Sequence, residues 1–213
     1  MPLDDAGRVD APARTARATA VALGIAAAAV VFSIWLDQAA WRGVVDPRVY
    51  DRDWGRLLRV MGYLPLWLVL GVVLARHDAA SRWHGAALAV APAIGGLAAE
   101  TLKLLFRRER PPLEVFGDYV WRPFTVEPWS TRGLGLPSSH VMVAMAAAAV
   151  LAQRFPRAKA LWYALAIGCG LTRVAVRAHY LSDVVVALVL GWGIGLGTWR
   201  RLGLRNATRA GVP

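Results

Sequence analysis

The chain has 213 residues, 57% of them hydrophobic, a formal net charge of +11 and a sequence pI of about 11.1. That length allows one domain with a sizeable core, and the apolar residues gather into runs that suit a bilayer, where about 20 helical residues are needed to cross, so no separate soluble domain fits beside them. The basic residues lie between the apolar runs and at the tails, which argues against nucleic acid as a partner and fits charges facing anionic headgroups; the single cysteine, Cys169, excludes an intrachain disulfide or a cysteine-based metal site and reads as a small buried hydrophobe.

The first predicted span covers residues 18–36. Arg14 and Arg17 precede it in the manner of a signal peptide, but the run exceeds the roughly 7–15 residues of a signal's apolar region, so an uncleaved span is expected. Residues 37–56 form a long connection mixing Asp and Arg with Trp41, Tyr50 and Trp54, a composition suited to the membrane interface. The second span, 57–74, contains Gly62 and Pro65, and the third, 86–106, contains Pro92 and Gly95-Gly96. Neighbouring helices re-satisfy the backbone groups that such residues free. Gly95, Gly96, Ala98 and Ala99, with Gly191, Gly193, Gly195 and Gly197, predict close helix contact rather than a phosphate loop. The connection 107–136 is rich in Pro, Arg, Trp and Gly, and connections of this length tend to be functional. The fourth span, 139–151, is short and Ala-rich; the fifth is 160–176 and the sixth 182–199.

The expectation is therefore an all-α integral membrane helical bundle with six transmembrane spans, one domain over residues 1–213 with tails at 1–16 and 200–213. Six spans put both tails on one side. The basic residues divide almost evenly between the two sides and do not fix the orientation.

Three polar groups fall on the same side of this drawing. The first is Lys103 with Arg107, Arg108 and Arg110-Pro111, either a basic collar at the headgroups or a phosphate clamp built on the guanidinium fork. The second is Pro137-Ser138-Ser139-His140 before the fourth span. It reads either as a plain N-cap or as a helix N-terminus presenting free N–H groups to an anion, with His140 placed as a general acid. The third is Arg173, His179 and Asp183. If helical, His179 and Asp183 share a face, either as a helix-end ion pair or as a nucleophile with its orienting carboxylate. Together the groups supply clamp, nucleophile, orienter and acid for phosphoryl transfer through a covalent intermediate. That face offers no Asp/Glu cluster for Mg²⁺, so no metal and no cofactor are expected. Glu100, three residues before Lys103, reads as the partner of a nearby base.

These motifs resemble the type 2 phosphatidic acid phosphatase superfamily, which also contains the vanadium haloperoxidases. The family's Lys, six residues, Arg-Pro is KLLFRRERP, Lys103 to Pro111; its Pro-Ser-Gly-His is PSSH, Pro137 to His140; its Ser-Arg, five residues, His, three residues, Asp is TRVAVRAHYLSD, with Arg173, His179 and Asp183. Ser139 stands where the family has Gly, and Thr172 where it has Ser. The resemblance implies that His179 attacks phosphorus, Asp183 supports it and His140 protonates the leaving group. It implies that Lys103, Arg110, Ser138, Ser139 and Arg173 bind the phosphate. It implies a multi-pass protein of the bacterial inner membrane with its site on the outer face. Arg107, Arg108 and Arg177 match no motif position and are expected at a headgroup or pyrophosphate. Those extra arginines make undecaprenyl pyrophosphate the first expected substrate, ahead of phosphatidate, phosphatidylglycerol phosphate and lipid A phosphate. A lipid phosphotransferase uses the same residues. A transporter is disfavoured because the polar groups sit at span ends; a vanadate-using oxidase is disfavoured because its relatives are soluble; a dead scaffold is disfavoured because every core motif residue is present. The sequence assigns no oligomeric state.

Overall fold

The structure, a computed structural model, describes residues 6–77 and 81–204, with the side chains of the first helix described from residue 16. Seven α-helices follow in order: α1 (Ala6–Gly43), α2 (Asp53–Val60), α3 (Leu64–His77), α4 (Arg82–Phe106), α5 (Ser139–Arg154), α6 (Lys159–Ala175) and α7 (Leu181–Arg201). Among the described residues, strand-like pairing is limited to two isolated bridges, Arg108 with Trp121 and Glu109 with Leu134. The all-α expectation holds. The tail expected at 1–16 is helical from Ala6, and the first helix runs seven residues past its expected end at Leu36. Residues 1–5 and 205–213 of the expected tails lie outside the described residues.

Every predicted span overlaps helix, the second across a break at 61–63, but not every helix has the length of a crossing. Among the described residues three are long and apolar enough, namely α1 from Ala16, α4 and α7. A fourth is obtained if α2 and α3, bent by 67° at their break, count as one. By contrast α5 has 16 residues and α6 has 17, against about 20 for a full crossing. For α5 the reason is its surroundings. All residues from Val141 to Ala152 are buried, so protein and not lipid dictates its length.

α5 is the axis of the bundle, with α4, α6 and α7 packed around it. Its alanines leave a smooth surface, and the small residues of α4 and α7 meet it closely. A Cβ on Gly195 would lie 2.6 Å from the carbonyl oxygen of Ala146 and 2.6 Å from the Cβ of Ala149. Any side chain there would push the helices apart. Cys169 is buried, as the sequence suggested. Between α2 and α3 the chain turns at Met61–Tyr63, where Gly62 and Tyr63 donate to the carbonyls of Arg59 and Val60. Pro65 falls in the first turn of α3, where a missing N–H costs nothing. This corner sits against His140 at the start of α5.

Candidate active site

The C-terminus of α6 sets the geometry. The N–H of Ala178 donates to the Arg173 carbonyl at 3.0 Å and that of Arg177 to the Val174 carbonyl at 2.8 Å. With Arg177 at φ 54°, these nested bonds close the helix in a Schellman turn. The turn reverses the chain and delivers His179 in front of α7. Asp183, in the first turn of α7, accepts the Tyr180 N–H on Oδ2 at 2.9 Å, capping the helix.

His179 and Asp183 are therefore not two residues on one helical face, as their spacing suggested. His179 precedes the helix, and its Nδ1 stands 3.6 Å from Asp183 Oδ2. The closer partner is the carbonyl oxygen of Gly135, 2.9 Å from Nδ1. A carbonyl only accepts, so Nδ1 carries the proton and Nε2 keeps its lone pair. A backbone acceptor has no side-chain signature, which is why sequence reasoning missed it. The glycine itself is required: a Cβ at position 135 would lie 2.9 Å from Asp183 Oδ2. His179 is only 3% exposed. Burial holds its pKa below the ordinary 6.5, Arg173 and Arg110 press the same way, and Asp183 opposes them.

The start of α5 supplies the second part. Ser138 is the N-cap residue, yet its side chain makes no capping bond. Its hydroxyl is fully buried and has no hydrogen-bond partner, so the plain-cap reading fails. The first N–H groups of α5 have no intrahelical acceptor, as at any helix N-terminus. Ser139 Oγ donates to Glu100, and Lys103 Nζ lies 2.5 Å from Ser139 Oγ and 2.7 Å from Glu100 Oε1. Glu100 thus pairs with a nearby base, as expected, and ties α4 to α5. Arg173 Nη1 donates to Tyr50 Oη at 3.2 Å, while its buried Nε has no partner. The Thr172 hydroxyl is occupied, donating to the Cys169 carbonyl and accepting from Tyr50. Arg110 is solvent-exposed, and its backbone N–H donates to Gly133. Arg173, His179, Arg59 and Lys103 all lie close enough to His140 to act on its charge.

The structure thus gathers Lys103, Arg110, Ser138, Ser139, His140, Arg173, His179 and Asp183 at one end of the bundle. It relocates the three remaining arginines. Arg107, expected at a headgroup, is 1% exposed. It donates to the carbonyls of Arg122, Pro123, Val126, Glu127 and Pro128, and so organises the 107–136 connection from inside. Arg108 is also buried. It pairs with Asp183 Oδ1, donates to Ser182 Oγ at 2.8 Å, and stacks between the rings of Tyr119 and Tyr180, 5.0 and 5.2 Å away. Arg177 donates to the Leu113 carbonyl and covers the Trp41 ring at 3.8 Å. The three arginines of RRER, alike in sequence, therefore divide: Arg107 and Arg108 turn inward, to backbone carbonyls and to Asp183, while Arg110 stays exposed.

Among the described residues, no three His, Cys, Asp or Glu side chains cluster in a way that could hold a metal ion. What remains is a helical, membrane-type bundle with one cationic, histidine-bearing end. The chain belongs to the PAP2 superfamily, whose sequence profile matches residues 82–207. It is 38% identical over 116 residues, 54% of the chain and 49% of the relative, to a protein named lipid A 1-phosphatase from Rhizobium etli. It is 39% identical over 111 residues, 51% of the chain and 44% of the relative, to a lipid A 1-phosphatase from Rhizobium johnstonii. The chain thus spans about half the length of the curated relatives it matches. No solved structure matches it.

Proposed function

We propose that the chain is a metal-independent membrane phosphatase that removes a phosphate from a lipid through a phosphohistidine. The observation that carries this reading is the state of His179: Nδ1 donates to Gly135 and Nε2 is free, beside cations that have no full complement of partners. The Nε2 lone pair attacks phosphorus, and the bond to the lipid oxygen breaks. His140 gives that oxygen its proton. Lys103, Arg110, Arg173, the Ser138 hydroxyl and the N–H groups opening α5 hold the phosphoryl oxygens as charge moves. Water then attacks phospho-His179 and yields its proton to His140, releasing inorganic phosphate. The donors are cationic or neutral, which supports charge stabilisation without a metal ion.

The relatives' names support the 1-phosphate of lipid A as the substrate. The expectation of undecaprenyl pyrophosphate rested on extra arginines, and the inward placement of Arg107 and Arg108 removes that support. In this reading six helical segments, with α2 and α3 as one, lie in a bacterial inner membrane with the site at the outer face. The test is phosphate release by the purified full chain in detergent with EDTA, from lipid A, undecaprenyl pyrophosphate and phosphatidate side by side. Release from lipid A that vanishes in His179→Ala supports the proposal. Preference for another lipid overturns the substrate. Release that survives in His179→Ala, or requires added metal, overturns the mechanism, and lipid flux or halide oxidation without hydrolysis overturns the activity.

A further inference from the structure

Asp37 lies in α1, 45 residues before the segment that the family profile matches. It is 1% exposed. Its Oδ1 accepts the Ser182 N–H at 2.8 Å, and its Oδ2 accepts the hydroxyls of Ser182 at 2.5 Å and Tyr119 at 2.8 Å. A buried carboxylate is costly to keep unless its lone pairs are engaged. Here they are engaged by groups that all lead to one place. Ser182 is the second residue of α7, and its neighbour in sequence is Asp183.

A serine hydroxyl has one proton and two lone pairs. With the proton committed to Asp37, a lone pair faces Arg108 Nη2 at 2.8 Å. Arg108 is then held between two acceptors, Ser182 Oγ and Asp183 Oδ1. Tyr119, the other hydroxyl on Asp37, lies with its ring against the same guanidinium. The four side chains close a ring: Asp37 fixes Ser182 and Tyr119, and those two fix Arg108. Arg108 in turn fixes the carboxylate beside His179.

We propose that Asp37 is a positioning residue for the active site: by committing the Ser182 proton, it aims Arg108 at Asp183 and so sets the carboxylate that stands by His179. The proposal rests on the nucleophilic role of His179. The two are separable, because His179→Ala tests that role and the Asp37 variants do not. In Asp37→Asn the amide presents N–H where the carboxylate accepted, so the Ser182 proton loses its acceptor and competes with Arg108.

The experiment is steady-state phosphate release from lipid A by the full chain in detergent, per mole of monodisperse protein. Asp37→Asn is expected to lower kcat roughly 10- to 100-fold, the range typical when a hydrogen-bond partner that orients a functional side chain from outside is lost, with KM within about twofold of the parent. Ser182→Ala is expected to do the same. The double variant is expected to be no slower than the worse single one, because both break one link. A merely structural anchor of α1 would lower the yield of folded protein and leave kcat of the folded fraction unchanged. Full kcat in Asp37→Asn, a change confined to KM, or multiplication of the two defects overturns the proposal. Where Asp37→Asn does not yield monodisperse protein, Ser182→Ala carries the test, and full kcat in that variant overturns it.

Discussion

Replacing Arg108 by methionine strands the Asp183 carboxylate. The two side chains are 5% and 0% exposed, so water cannot replace the guanidinium. Removing one partner of a buried ion pair costs about 3–5 kcal/mol. Asp183 keeps the Tyr180 N–H at 2.9 Å and the His179 ring at 3.6 Å, which places Arg108→Met near the lower end, about 3 kcal/mol. For a chain of this size each kcal/mol moves Tm by about 2–4 °C, so a fall of roughly 6–12 °C is expected. Heating in detergent while following tryptophan fluorescence reads this directly. Phosphate release measured on the same samples is expected to fall as well. The decisive comparison is the double variant Arg108→Met with Asp183→Asn. It strands no charge, so most of the lost stability returns, while activity stays low because the carboxylate is gone. An unchanged Tm in Arg108→Met, or a double variant as unstable as the single one, refutes the argument that Arg108 is there to compensate Asp183.

Gly135→Ala puts a Cβ 2.9 Å from Asp183 Oδ2, so the carboxylate or the Gly135 carbonyl must shift; about 1–3 kcal/mol of stability and at least about tenfold in phosphate release are expected to be lost, checked by melting and kinetics together. The pKa of His179 lies below 6.5, and attack needs the neutral ring, so the acid limb of kcat/KM is expected below pH 6.5, with the rate falling as pH drops through the folded pKa; an acid limb above 6.5 contradicts the burial argument. Glu100→Gln removes the anion that occupies Lys103, and inorganic phosphate is expected to inhibit more strongly; the Glu100 side chain is 43% exposed, so the gain is limited to about 1 kcal/mol, up to roughly fivefold in Ki. Gly195→Leu is expected to separate α5 from α7 and to lower Tm, read by the same fluorescence melt.

The helices were legible because a long apolar run suits a bilayer whether or not protein covers it, as α1 does with 6% of its apolar window buried, and the motif residues were legible because their order and spacing are local. Four things were not. The length of α5 depends on its being enclosed by α4, α6 and α7, which its own Ala-rich sequence does not state. The inward turn of Arg107 and Arg108 but not Arg110 depends on the Arg122 carbonyl and on Ser182, partners 15 and 74 residues away, in a stretch without periodicity. Gly135 acts through its carbonyl, and Asp37 acts on Ser182 across 145 residues of chain. Side-chain chemistry was readable in place; orientation set by the backbone or by distant segments was not.

The alanine wall of α5 has a consequence for how substrates are told apart. A helix buried from Val141 to Ala152, with glycines of α4 and α7 set against its own carbonyls and methyl groups, has little room to tilt, and Ser138, Ser139 and His140 stand at the tip of that rod. In the proposed function, the end of the molecule that meets the phosphate is therefore a fixed gauge, the same for every lipid offered to it. On that proposal, choice among lipids falls to the outer faces of the surrounding helices and the rim of the 107–136 connection. Exchanging those parts is the way to redirect the protein toward a different lipid while its chemistry stays as it is.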